Sequence, residues 1–296
     1  MKKIRRFFKP LYDFFPFKRQ IFSLLRGLGY KGKYTKYFYF TGNFSFKLGD
    51  EKLKMYNPGY QSHIENQIFW NGIENGWEKR SVNIWLELSK VSSVIIDVGA
   101  NTGIFSILSK AINKEARVVS FEPVKFISDK FIRNMELNNF KYELSDFALS
   151  DEAGSTNVHS ESLNNSYTIA IDNKNVKGDV QEYNKLEIKT IRLDQFIEDN
   201  KIERIDLMKI DVERHEPMVL EGMGKYLKEM KPDLLIEIQT DEIGQKIQNL
   251  VEGCGYLYFN IDDLGEIQQT ESIQKSNYLN YLICSEKSAK MLHLIN

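Results

Sequence analysis

From residue 94 to residue 284, short β-branched or apolar runs alternate with stretches whose apolar residues recur at three- and four-residue intervals. This is the pattern of strands alternating with helices. Residues 94–98, Val-Ile-Ile-Asp-Val, form the first run, and Ile104, Ile107, Leu108 and Ala111 then share one helix face. Residues 117–121 predict a second strand, followed by a helix through Phe131 and Met135 to Leu137 and a third strand over 142–147. The rhythm breaks at 151–192 and resumes with a helix at 193–199, a strand at 207–210 and a helix opened by Pro217. A strand at 234–238 leads to a helix carrying Ile243, Ile247, Leu250, Val251 and Cys254 on one face. The last two strands, 256–261 and 278–284, have no helix between them and are expected to pair antiparallel. The fold class this predicts is α/β, a mostly parallel Rossmann-like sheet closed by an antiparallel terminal hairpin.

Three regions lie outside that rhythm. Residues 151–192 are polar, with a turn at Gly154 and an alternating run at 186–191, and read as an antiparallel insertion bordering the site. Phe44, Phe46 and Leu48, the Gly49-Asp50-Glu51 turn, then Leu53 and Met55 predict a hairpin ended by Asn57-Pro58-Gly59. Residues 64–90 read as helices covering the approach to the sheet. The expected organisation is a basic aromatic segment over 1–40, a hairpin and helical cap over 41–90, and a Rossmann-like domain over 91–296.

Composition changes the picture mainly at the N-terminal end. With 42% apolar residues in 296, a sizeable core can form, and the formal net charge of −1 argues against nucleic acid as a partner. Residues 1–40, however, hold eleven Lys/Arg against Asp13 alone, about +10, interleaved with Phe7, Phe8, Tyr12, Phe14, Phe15, Phe17 and Phe22. Either these rings pack on the main domain, or the segment meets an anionic membrane surface, or it contacts another polyanion such as a nucleic acid. Two cysteines, Cys254 in an expected helix and Cys284 in an expected strand, give no disulfide framework and no metal spacing. No apolar run reaches the roughly 18–20 residues of a spanning helix. Lys9, Pro10, Asp13 and Pro16 interrupt any signal-peptide core. The expected location is cytoplasmic, with peripheral contact at the inner membrane face as the extension of the lipid reading.

Chemistry concentrates at strand ends. Asp97 closes the first strand, and Gly99, Ala100, Asn101, Thr102 and Gly103 form a loop that presents helix N-terminal N–H groups and lets a ligand approach bare backbone. The spacing is G-x-x-x-G, not the G-x-G-x-x-G of a dinucleotide site, and no G-K-[ST] is present. Glu122, at the end of the next strand, is placed to accept from two ribose hydroxyls, and Asp97 suits a cationic centre. Adenosine with an amino-acid tail fits this pair better than a dinucleotide.

Residues 97–103 (Asp-Val-Gly-Ala-Asn-Thr-Gly), Phe121-Glu122-Pro123, Ala148-Leu149-Ser150-Asp151, Lys209-Ile210-Asp211-Val212-Glu213 and the following Glu216 and Leu220-Glu221-Gly222 resemble the FkbM family of S-adenosylmethionine-dependent methyltransferases. Trp77-Glu78 is also similar to that family, and the likeness spans roughly residues 75–240. The resemblance implies a class I methyltransferase fold and O-methylation, often of a sugar hydroxyl in a glycan, with a saccharide or glycoconjugate as acceptor. It implies cofactor contacts from Asp97, the 99–103 loop, Glu122 and Pro123, with Asp146, Phe147 and Ala148 near the adenine. One departure stands out: Arg214 occupies a glycine position of the family pattern. Either positive φ is not needed there, or the loop has changed shape.

Methyl transfer to an alcohol needs in-line alignment and loss of the hydroxyl proton. Asp211 is expected near the methionine end of the cofactor, with His215 or Glu213 as base. Asp211, Glu213, His215, Glu216 and Glu237 could also bind a hard divalent cation, a reading not favoured because their spacing is not diagnostic. Two competing functions are a nicotinamide-dependent oxidoreductase, opposed by the missing third glycine, and a non-catalytic glycan-binding or assembly protein on the same fold.

Overall fold

The computed structural model describes residues 15–160, except 31, 33, 60, 61 and 75, together with 170–171 and 184–296. Two compact units divide the chain at Gly76 and Trp77. The first contains helix α1 (Lys18–Gly27), strands β1 (Thr41–Leu48) and β2 (Glu51–Pro58), and helix α2 (His63–Asn71). β1 and β2 form the expected hairpin, in register from Thr41 opposite Pro58 to Leu48 opposite Glu51. Phe40, Phe44, Phe69 and Trp70 are buried and meet edge to face or tilted, with Phe40 and Phe69 centroids 4.7 Å apart.

The second unit opens with α3 (Lys79–Val91), β3 (Val94–Val98), α4 (Ile104–Ile112), β4 (Arg117–Phe121), α5 (Lys125–Leu137) and β5 (Glu143–Ser145). A smaller sheet follows, of β6 (Ala148–Leu149), β7 (Gly154–Ser160), β8 (Ala170–Ile171) and β9 (Asn184–Ile191). β7 pairs antiparallel with β8 and β9, as expected of the insertion, whereas β6 runs parallel to β9. The rest of the insertion lies outside the described residues. Then come α6 (Leu193–Asp199), β10 (Leu207–Ile210), α7 (Glu216–Met223), α8 (Tyr226–Met230), β11 (Asp233–Glu237) and α9 (Asp241–Val251). The chain ends in β12 (Leu257–Ile261), β13 (Ile267–Thr270), β14 (Asn280–Cys284) and α10 (Glu286–Met291).

The main sheet has the order β13-β12-β14-β11-β10-β3-β4-β5. β3, β4, β5, β10 and β11 are mutually parallel, and β14 enters antiparallel between β11 and β12. Because side chains alternate across a strand, the two faces differ. Ile96, Val98, Val119, Phe121, Met208, Ile210, Leu234 and Ile236 join one apolar core with Leu220, Met223, Ile243 and Ile247 of the helices. On the other face Ser120, Asp97, Lys209 and Leu235 stand in register across four strands. Charge has been placed inside one face only.

Among the elements that differ from expectation, α1 and α8 are not foreseen in the sequence, and three others have a clear cause. α9 stops at Val251 because Gly253 and Gly255 take φ of 78° and 76°, so Cys254 lies beyond the helix. β13, Ile-Gln-Gln-Thr, is an edge strand whose mostly polar composition hides it from an apolar pattern. α10 is a single short helix that buries only Ala289 and is capped by the Ser285 side chain accepting from the Ser288 N–H. Both cysteines are free thiols and buried. Among the described residues no helix is long and apolar enough to cross a membrane.

Candidate active site

The loop between β3 and α4 turns on two glycines. Gly99 has φ 73°, and a Cβ there would lie 2.1 Å from the Asp211 carbonyl oxygen, so no larger residue fits between the two loops. Gly103 has φ 86°, and a Cβ would meet the Phe131 ring at 2.7 Å. The Gly99 and Ala100 N–H groups both donate to the Phe121 carbonyl at 3.0 Å, so these two donors face the sheet. Asn101, at φ 50°, donates its N–H to Glu122 Oε2 at 3.1 Å, and Glu122 Oε1 accepts from the Val124 N–H at 3.0 Å. Burial pushes the Glu122 carboxyl up to about 7 even though both hydrogen bonds favour its charged form. The Thr102 hydroxyl is buried and has no partner among the described residues. The Glu122 N–H donates to the Ser145 carbonyl at 3.1 Å, which sets the end of β5 beside it, leading into exposed Asp146, half-buried Phe147 and buried Ala148.

Asp97 is 1% exposed. Its Oδ2 accepts from Ser106 Oγ at 2.6 Å, and Ser106 Oγ lies 2.8 Å from Ser120 Oγ. Burial raises its pKa, opposed by Lys209 and by the Ser106 hydrogen bond. Lys209 is a buried lysine in a strand otherwise made of Leu, Met and Ile. It donates from Nζ to Asp211 Oδ2 at 2.7 Å and sits 4.6 Å from the centroid of the Phe105 ring. Burial works to lower its pKa, but Asp211, Glu78 and Asp97 hold it above the usual lysine value.

Around this cation lies a ring of carboxyls. Glu78, at the start of α3 with φ 45°, is pushed up to about 8 by burial, with Asp211, Asp263 and Glu237 adding to the rise and Lys209 opposing it. Glu237 rises to about 7, from burial first and then Asp211 and Glu213. Gln239 Nε2 bridges two of the acids, donating to Glu237 Oε2 at 2.6 Å and Glu213 Oε2 at 2.9 Å. The Glu213 pKa is raised by burial. The terminal strands help to hold this arrangement. Asp263, in the turn between β12 and β13, accepts from the Ser81 N–H at 2.8 Å and from the Ser81 hydroxyl at 3.1 Å, capping α3 directly after Glu78.

The structure brings Asp211 and Glu213 together with this ring but directs His215 elsewhere. His215 Nε2 meets Ser150 Oγ at 3.0 Å, Ser150 Oγ donates to Asp151 Oδ1 at 2.9 Å, and burial lowers the histidine pKa. Next to it, a Cβ at Gly222 would lie 2.1 Å from the Ser150 carbonyl oxygen, so α7 packs directly on the β6 end. Glu216 is buried, and its Oε1 accepts from the Val212 and Arg214 N–H groups at 3.2 and 3.1 Å. Burial lifts its carboxyl to about 8. Arg214 resolves the departure noted in the sequence in a third way: it keeps the left-handed backbone, at φ 78°, without being glycine, and Glu213 beside it has φ 52°. The Glu216 anchor and an Arg214 Nε hydrogen bond to Gln239 Oε1 at 3.1 Å hold that conformation. Among the described residues no group of three or more His, Cys, Asp or Glu is arranged to hold a metal ion.

Sequence reasoning gave no role to Lys209, Gln239 or Asp263, and it named Glu78 only through the resemblance. Lys209 did leave a signal, since a lysine inside an otherwise apolar strand is buried only with a partner. Gln239 and Asp263 left none, because their roles depend on which strands become neighbours.

A parallel sheet with an antiparallel strand inserted near one edge, a glycine loop after its first strand and an acid after its second mark the class I methyltransferase fold. The FkbM methyltransferase domain matches residues 97–258, more than half of the chain, and the chain belongs to this family of S-adenosylmethionine-dependent methyltransferases. Among solved structures, methyltransferase FkbM from Methylobacillus flagellatus aligns with 17% identity and a TM-score of 0.43, over 65% of this chain and 43% of that one. This chain therefore spans less than half the length of that protein. The O-methyltransferase from Bacillus cereus, solved with SAH, aligns at 15% identity and a TM-score of 0.40, over 69% of this chain and 79% of that one. The SAM-dependent methyltransferase from Agrobacterium tumefaciens aligns at 11% identity and a TM-score of 0.44, over 83% and 71%. No curated protein matches the chain.

Proposed function

We propose that the chain methylates a sugar hydroxyl of a glycan or glycoconjugate, with S-adenosylmethionine held along the loops after β3 and β4. The residues present suit that cofactor. Glu122 offers a carboxylate already oriented by two backbone donors, and the buried Thr102 hydroxyl would be satisfied by a polar ligand atom. Asp97 and Asp211 supply negative charge toward a cationic methionine end. Gly99, Ala100, Asn101 and Gly103 would shape the floor, and Pro123, Asp146, Phe147 and Ala148 the adenine side. When bound, S-adenosylmethionine supplies an electrophilic methyl carbon on a sulfonium.

The observation that carries the reading is the Glu213–Gln239–Glu237 bridge beside Asp211. Two carboxyls with raised pKa values, tied by one amide, form an acceptor-rich surface suited to orienting hydroxyl groups. Glu237 Oε2 is engaged by Gln239, so Oε1 is the oxygen that takes the hydroxyl proton, at a pKa of about 7 matched to neutral pH. Glu213 and Glu78 orient the acceptor, and Lys209 keeps Asp211 in place. His215, turned toward Ser150, positions α7 instead of serving as base.

The test is transfer of isotopically labelled methyl from S-adenosylmethionine into cell-derived glycan, protein and RNA fractions. Label is expected in the glycan fraction, and Glu237→Gln should lower turnover by roughly 10²–10⁴-fold while cofactor binding persists. Label confined to protein or RNA would refute the acceptor class. Unchanged turnover in Glu237→Gln would refute the base.

A further inference from the structure

We propose that helix α1 docks on an anionic lipid bilayer surface through its outward apolar stripe. Phe17, which precedes the helix, Ile21 and Leu24 within it and Leu28 just after it follow i, i+4, i+7, i+11 spacing, which puts them on one face of a helix. They are 68%, 39%, 64% and 75% exposed.

The opposite face is fixed. Phe22 is buried and stacks on Phe38 with centroids 5.3 Å apart. Arg26 donates from Nη1 to the Phe69 and Ser45 carbonyls at 2.9 and 3.2 Å and lies 4.4 Å from the centroid of the Phe69 ring. Within their own unit, then, the hairpin and α2 hold the helix by one side and leave the stripe outward. Lys18, whose Nζ lies 5.7 Å from the centroid of the Tyr39 ring, flanks the stripe, while Arg19 donates to the Asn43 carbonyl on the held side, in a segment carrying about +10 over its first forty residues.

Charge selects the occupant. Packing this face on the same face of a second copy would bring two strongly basic segments together, whereas anionic headgroups complement them and the acyl boundary accepts Phe, Ile and Leu.

The experiment is co-sedimentation of the full chain with phosphatidylcholine vesicles, with and without phosphatidylserine. Partition should require phosphatidylserine and weaken as salt rises. Leu24→Ser combined with Leu28→Ser should lower the partition coefficient at least tenfold, and Lys18→Glu with Arg19→Glu should weaken the preference for anionic vesicles. All four positions lie at or near the surface, so unchanged melting temperatures would show that the variants are folded. Equal recovery with neutral vesicles, or undiminished partition of the leucine variant, would overturn the proposal. It would equally fall if vesicles were not bound and velocity sedimentation without lipid found a dimer broken by the same leucine substitutions.

Discussion

Two loops leave the carboxyl ends of neighbouring parallel strands, and both need left-handed backbone, but they meet that need differently. After β3 the positions are Gly99 and Gly103, where a Cβ would strike the Asp211 carbonyl or the Phe131 ring, with Asn101 between them at φ 50°. After β10 they are Glu213 and Arg214, which bear the strain with full side chains. The first loop is limited by space. The second has room and uses it for side chains that reach Gln239. Its strain, of order 1–2 kcal/mol for each residue, is offset by Glu216 beneath it, which accepts from two N–H groups of the loop. The difference separates a loop closed against its protein neighbours from one whose side chains reach across to the next strand end.

The largest expected effect tests the charge that supports the second loop. Lys209→Met should cost about 3–5 kcal/mol at neutral pH, because it leaves buried carboxylates without their cation. Denaturant unfolding should show a smaller deficit in acid, where buried Asp97 takes up a proton and no longer needs the cation. Next, the two loops should respond with opposite signs. Gly99→Ala should lose about 2–4 kcal/mol from positive φ and overlap together. Arg214→Gly should gain about 1 kcal/mol or less while losing activity. If both destabilised alike, the contrast between a space-limited and a side-chain-bearing loop would fail.

The smallest effect is in the pH profile. Glu216 and Glu122 have folded pKa values of about 8 and about 7, above the unfolded 4.5, so the folded state holds more protons in that window. Their contribution to stability is complete below about 4.5 and is lost as pH rises through 7 to 8. Glu216→Gln should flatten that decline, and a slope equal to that of the parent chain would contradict the assignment.

Much of this was legible in the chain. Period-two and period-3.6 patterns locate the parallel strands and their helices, because buried strands must be apolar and helix faces must repeat. The glycine loop and Glu122 are readable because they follow one another within one strand–helix–strand unit. His215 misled: adjacency to Asp211 and Glu213 suggested one cluster, yet the turn at Arg214 sends its ring toward Ser150. Glu78, Glu237 and Asp263 meet through the sheet order β12-β14-β11-β10, information that no local window contains. Helix α1 was hidden because its basic and aromatic composition dominated the apolar stripe within it.

The most direct test is calorimetric titration of the full chain with S-adenosylhomocysteine, beside NAD and beside the Glu122→Gln variant. Binding of S-adenosylhomocysteine and not NAD is expected, weakened at least tenfold in Glu122→Gln by loss of a charged acceptor. No binding, a preference for NAD, or an affinity indifferent to Glu122 would contradict the placement of the cofactor along β3 and β4.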